Sequence, residues 1–100
     1  MNSMPVEILP IADNDVREAI TYIASDNPQA AGKLLDAIQA AIERLSQYPH
    51  SGSAADIYGM RRYHYYKAPV PPYVVYYRIH NETLLIVRVL HERMDAKAYL

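Results

Sequence analysis

One hundred residues, 51% of them apolar, suffice for one domain around one core and are too few for two. Cysteine is absent, which excludes disulfides, thiolate metal sites and a thiol nucleophile together. The formal net charge is −1, yet residues 1–56 carry eight acidic side chains against three basic and residues 57–100 carry seven basic against three acidic. A chain polarised in this way suits a C-terminal half that meets an acidic partner.

After the first residues, Met4, Val6 and Ile8 alternate with period two, which predicts a strand over residues 4–9. Pro5 cannot donate to a ladder, so this strand is expected at a sheet edge. From Asp13 the period changes: Val16, Ala19, Ile20, Ile23 and Ala24 follow one helical face, and the acidic first turn suits the positive end of the helix dipole. This helix should stop near Ser25. Asn27-Pro28 then starts a second helix, since Asn can accept from an early helical amide and Pro at the first position gives up no needed donor. Its stripe of Ala31, Leu34, Leu35, Ile38, Ile42 and Leu45 runs to about Tyr48, where Pro49 and Gly52 end it. The short link makes the two helices an antiparallel hairpin. Gly32 costs roughly 1 kcal/mol relative to Ala inside a helix, which points to a close helix approach.

The remainder reads as a sheet. Residues 60–66 and 73–79 are rich in Tyr and Val, and residues 83–91 in Leu, Ile and Val. Ala68-Pro69-Val70-Pro71-Pro72 is expected to interrupt the ladder and join the first two strands. His80-Asn81-Glu82 is expected as a hairpin turn. In the last strand, alternation sets Leu85, Val87 and Val89 on one face and Leu84, Ile86, Arg88 and Leu90 on the other, so it should lie inside the sheet. The predicted fold is α+β: an N-terminal strand, an antiparallel helical hairpin and a three-stranded antiparallel meander, with residues 1–100 as a single domain.

His50, His64, His80 and His91 lack metal-site spacings, and Gly32, Gly52 and Gly59 are isolated, so neither a metal, a phosphate loop nor another cofactor is expected. No apolar run approaches the ~18 to 20 residues of a membrane span, and a secretory leader pattern is absent, so a cytoplasmic location is expected. Metal-free RNA cleavage requires an acid, a base and cations around the scissile phosphate. His91 or Tyr99 could act as acid or base there, with Arg61, Arg88 and Arg93 on the phosphate, although alternation puts Arg88 and His91 on opposite strand faces. The competing reading makes His91 a hydrogen-bonding residue that fixes the C-terminal turn. Arg61-Arg62-Tyr63-His64-Tyr65-Tyr66-Lys67 interleaves cations and rings, as base stacking requires, but also fits a half-buried strand. All ten aromatic residues are Tyr, so most rings are expected in the core with their hydroxyls at its margin.

Several clusters carry a resemblance. Tyr22-Ile23-Ala24-Ser25-Asp26-Asn27-Pro28 lies between the helical patterns. Gly59-Met60-Arg61, Tyr73-Val74-Val75-Tyr76-Tyr77-Arg78 and His91-Glu92-Arg93-Met94-Asp95 follow in order. The set resembles the ParE/RelE toxin superfamily of type II toxin–antitoxin systems, and its ParE branch in particular, over roughly residues 6–95. The resemblance implies the same strand, helical hairpin and sheet architecture. It also implies a cognate, ParD-like antitoxin as partner and DNA gyrase as target, with Arg61, Arg78, His91 and Arg93 as target-binding residues. On this reading the protein is not an enzyme, and direct contact with nucleic acid is not expected. The RelE branch, which cleaves messenger RNA on the ribosome, and an inactive relative that only binds its antitoxin are the alternatives. Glu92 and Met94 replace a Gly and an Arg of the terminal motif, Ser53 stands where a basic residue often follows the turn, and no lysine lies between Lys33 and Lys67. The departures at Glu92, Met94 and Ser53 lower the positive charge available for phosphate, as in an attenuated copy, and the missing lysines favour the gyrase-directed branch.

Overall fold

The computed structural model describes residues 3–55 and 65–100. Strand β1 (Val6–Ile8) leads into helix α1 (Pro10–Ala24) and helix α2 (Pro28–Gln47), followed by β2 (Ser53–Ala54), β3 (Tyr66–Val70), β4 (Tyr73–His80) and β5 (Thr83–His91). The sheet order is β1-β5-β4-β3-β2, with β1 parallel to β5 and the other pairs antiparallel. Strand β1 is thus an edge, as Pro5 implied, and β5 lies between β1 and β4. The meander is present as expected, and the two-residue β2 extends it by one strand.

Helix α1 starts at Pro10, one turn before the expected Asp13, because Pro at the first helical position is already set for helical φ and surrenders no bonded amide. Asn27 caps α2 as predicted, its side-chain oxygen accepting from the Ala30 amide at 3.1 Å. The stripe of α2 buries Ala31, Leu34, Ile38 and Leu45 and adds Ala41, while Leu35 and Ile42 are half-buried. Leu34, Ile38, Ala41 and Leu45, with Ile42 packed against them, join Ala12 of α1 and Val75, Tyr77, Leu84, Ile86 and Val89 of the sheet in one cluster. Gly32 does not mark a close helix approach: a Cβ there would meet nothing within 4 Å.

The first meander strand is displaced from its expected position. Residues 60–64 of that expected strand lie outside the described residues, and β3 instead runs through Ala68-Pro69-Val70, which the sequence reading assigned to a connector. Val70 and Tyr73 flank a two-residue turn at Pro71 and Pro72, and such a flanking pair is the hydrogen-bonded one. Alternation then turns the nitrogen of Pro69 away from β4, toward an edge that β2 has already left, so its missing N–H breaks no ladder bond. The turn between β4 and β5 is tighter than expected, with Asn81 (φ 49°) and Glu82 (φ 58°) both left-handed, as a two-residue hairpin turn requires.

Strand β5 departs from simple alternation as well. Tyr76 pairs with Arg88 but Tyr77 pairs with Ile86, which leaves Val87 as an extra residue. This bulge rephases the strand, so Val89 joins Leu84 and Ile86 in the core instead of facing the other way.

Tyr77 is fully buried, and its hydroxyl donates to the Pro49 carbonyl at 3.0 Å and accepts from the Gly52 amide at 3.1 Å. That hydroxyl ties the chain leaving α2 to the middle of the sheet. A Cβ on Gly52 would strike the hydroxyl and come within 2.9 Å of the Lys67 carbonyl oxygen, so only glycine fits. Burial is the main cause that pushes the Tyr77 phenol above its ordinary value, against a lowering by the Gly52 amide. A raised folded-state value favours the protonated form, so the contribution is complete below the unfolded value near 10 and is lost as pH rises through the folded value. Tyr77→Phe should cost about 1–2 kcal/mol in urea unfolding at pH 8, and the gap to the parent protein should narrow above about pH 10.

Candidate functional site

The side chains singled out in the C-terminal third gather around the last turns of β5. Beyond Ile86 the β1 side of this strand has no strand partner among the described residues, because β1 pairing ends at Ile8 and Leu9 closes it with a bond to the Ile86 carbonyl. Helix α1 crosses the open edge, and Asp15 fills it. Its carboxylate accepts from the Val89 amide at 3.0 Å and from Arg88 Nε and Nη2 at 2.8 and 2.7 Å. The third nitrogen of Arg88, Nη1, donates to the Tyr99 carbonyl at 3.2 Å, and the guanidinium carbon lies 5.4 Å from the centre of the Tyr99 ring.

The side chains of Arg88 and Asp15 are only 12% and 9% exposed, so this ion pair is largely shielded from water. The hydrogen bonds that Arg88 donates to Asp15, opposed by desolvation, raise the Arg88 guanidinium above its already high value. With all three nitrogens engaged, Arg88 holds the C-terminal segment, residues 96–100, against the strand.

His91 sits at the end of the same strand, half-buried, its ring edge-on to Tyr73 at 5.3 Å between centres. Its Nδ1 accepts from the Arg93 amide at 3.1 Å, and its carbonyl accepts from the Met94 amide at 2.9 Å. Acceptance at Nδ1 places the ring proton on Nε2. His91 therefore shapes the turn that projects Arg93, whose side chain is exposed and has no ion-pair partner among the described residues.

The structure thus brings Arg88 together with Tyr99 and His91 together with Arg93. Arg78 is half-buried on β4 opposite Leu85, five residues from the Tyr73 that pairs with His91, or about 16 Å along the strand. Arg61 lies outside the described residues, as do Arg62, Tyr63 and His64.

Asp15 escaped the sequence reading, although its position three residues after Ala12 and four before Ala19 puts a carboxylate within the buried stripe of α1. Tyr22 and Met94, which the sequence offers only as members of motifs, are 80% and 37% exposed, and a single exposed apolar residue leaves no periodic signal of its exposure. Among the described residues no three His, Asp or Glu side chains converge to hold a metal, and no helix is long and apolar enough to cross a membrane.

The strand, helical hairpin and meander, with the hairpin packed on one sheet face, form the fold of the ParE/RelE toxin superfamily. The chromosomal ParDE toxin–antitoxin structure from P. aeruginosa superposes with a TM-score of 0.72 at 16% identity, over 89% of this chain and 96% of that one. The RelBE2 toxin–antitoxin complex from Mycobacterium tuberculosis gives 0.59 at 22% identity, over 89% of this chain and 98% of that one. The family model described as ParE toxin of type II toxin–antitoxin system, parDE, matches residues 6–96, and the chain belongs to that family. No curated protein matches it.

Replacing Asp15 by Ala would leave a largely shielded guanidinium and the amide of buried Val89 without their acceptor. Asp15→Ala should lower the free energy of urea unfolding by about 3 kcal/mol or more, and Asp15→Asn, which keeps an acceptor for Val89, should cost less.

Proposed function

We propose that this ParE-family protein arrests growth by binding DNA gyrase and is neutralised by a cognate antitoxin. The family match over residues 6–96 carries the reading. On this reading Arg93 and His91 contact the target, with Arg61 and Arg78 as further recognition groups.

The engagement of Arg88 favours gyrase binding over RNA cleavage. A nuclease needs mobile or outward cations on the scissile phosphate. Arg88 instead directs one donor from each of its three nitrogens to Asp15 or the Tyr99 carbonyl, and His91 uses Nδ1 to hold a turn. The groups left to act at a phosphate are fewer than the residue types alone suggested.

Purified protein added to gyrase and relaxed plasmid should inhibit supercoiling in a dose-dependent way, with the inhibition relieved by the antitoxin. Arg93→Ala should raise the half-inhibitory concentration about tenfold with unchanged thermal stability, the loss expected of one central contact. Full gyrase activity in the presence of folded protein, together with new 5′ ends inside transcripts after induction, would replace this reading with RNA cleavage. Harmless expression without either effect would make the protein an antitoxin-binding relative only.

A further inference from the structure

Strand β5 ends in a turn whose successive amides all have acceptors. The Glu92 amide donates to the Pro72 carbonyl at 2.9 Å, and the Met94 amide donates to the His91 carbonyl at 2.9 Å. Between them, the Arg93 amide donates to Nδ1 of the His91 ring at 3.1 Å. The outer two acceptors are carbonyls, which keep their lone pairs at every pH. The middle one is a ring nitrogen, which accepts only while the imidazole is neutral. The one titratable bond of the turn thus falls on the residue that carries the exposed guanidinium.

The surroundings of the ring decide what protonation does there. His91 is half-buried, paired with Tyr73 across the ladder and edge-on to its ring at 5.3 Å between centres. It lines a surface depression of about 210 Å³ together with Asp15, Glu18 and Tyr22 of α1 and with Met94. Charges of both signs face this place. Asp15 is bonded to Arg88, whose charged form Glu18 also stabilises. Arg17 shares a second depression with Glu18 and is bonded to Asp13. Glu92, Arg93 and Asp95 follow His91 in the chain. Among the described residues no carboxylate stands within ion-pair distance of the His91 ring.

Protonation therefore removes a bond and forms none in exchange. A proton on Nδ1 turns the acceptor into a donor aimed at the Arg93 N–H, so two donors oppose each other. The Glu92 and Met94 amides keep their carbonyls, which confines the loss to the Arg93 backbone and leaves the end of β5 in place.

We infer that His91 is a proton-controlled positioning residue for Arg93: the neutral ring fixes the Arg93 backbone and the direction of its guanidinium, and the imidazolium releases it. The inference rests on the proposed reading of Arg93 as a target contact and adds the regulation of that contact by pH. The hold is complete while the ring is neutral and is lost as pH falls through the His91 titration. Target binding weakens in the same direction, within the interval from about pH 8 to about pH 5 in which imidazoles change charge.

The test follows the backbone amides and the His91 ring protons of the full chain by NMR from about pH 8 to about pH 5.5. Protection of the Arg93 amide, taken relative to an unstructured peptide at each pH, should fall about fivefold or more, the factor that one hydrogen bond represents. Its midpoint should be that of the ring, and the Glu92 and Met94 amides should keep their protection. His91→Asn supplies a side-chain carbonyl that accepts from the same amide at every pH, as in an Asx turn, so its Arg93 protection should stay level. Gyrase inhibition should follow: between about pH 8 and about pH 6 the half-inhibitory concentration of the parent protein should rise about fivefold relative to that of His91→Asn. Arg93 protection that ignores the ring titration, or that is absent at the upper pH, would overturn the inference whatever the target. An equal loss in His91→Asn would assign the pH dependence to another group and overturn it as well. Should that variant fail to fold, the co-titration in the parent protein decides alone. Co-titration without gyrase inhibition at any pH would uphold the hold of His91 on Arg93 and overturn the gyrase reading.

Discussion

The carboxylate of Asp15 is the constraint on which the C-terminal half of the molecule depends. A sheet edge that ends under a helix leaves backbone donors away from both water and a neighbouring strand, and such groups are costly unless paired. Asp15 meets the Val89 donor and, with its remaining capacity, fixes Arg88 in a two-bond fork. Arg88 in turn reaches the Tyr99 carbonyl. One side chain on α1 thereby connects the helical layer, the sheet edge and the last residues of the chain. Two charges removed from water add little net stability as a pair, but removing one strands the other, so the arrangement specifies geometry more than it adds stability.

A second tie works at the opposite side of the sheet. Tyr77 extends from the core to the loop after α2 and bonds both Pro49 and Gly52, while its ring stacks on Tyr66 at 5.5 Å. The two ties hold the helical hairpin over the meander at separate places. The bulge at Val87 reconciles them, since it lets Ile86 and Val89 both face the helices while Arg88 between them turns toward Asp15.

The helices were legible because their signals are local. Asn27-Pro28 and the α2 stripe each reflect contacts within one turn or one face, and the structure places them as read. The sheet was less legible because its pairing is decided by distant residues. Pro69 reads as a ladder breaker in isolation and is harmless only because of the edge it faces, and Val87 reads as an ordinary alternating residue until its partner strand fixes the register. The same holds for the site. His91 was found by its motif, and one of its two expected roles, holding the turn, is seen in its bond to the Arg93 amide. Asp15, 73 residues from Arg88, announced itself only as a carboxylate in a buried stripe, and the role of Arg88 followed from that partner.

These relations give the terminal motif a physical meaning. Its histidine and arginine sit on a turn whose position is inherited from β5, and β5 is held at that end by α1. Native-state hydrogen exchange at the Val89 amide tests this chain of dependence most directly. If Asp15 closes the edge, that amide exchanges only with global unfolding, at the rate of the core amides of Val75 and Ile86. Exchange at Val89 as fast as at the exposed residues after His91 would show the edge to be open, and the account of how α1 organises the site would be wrong.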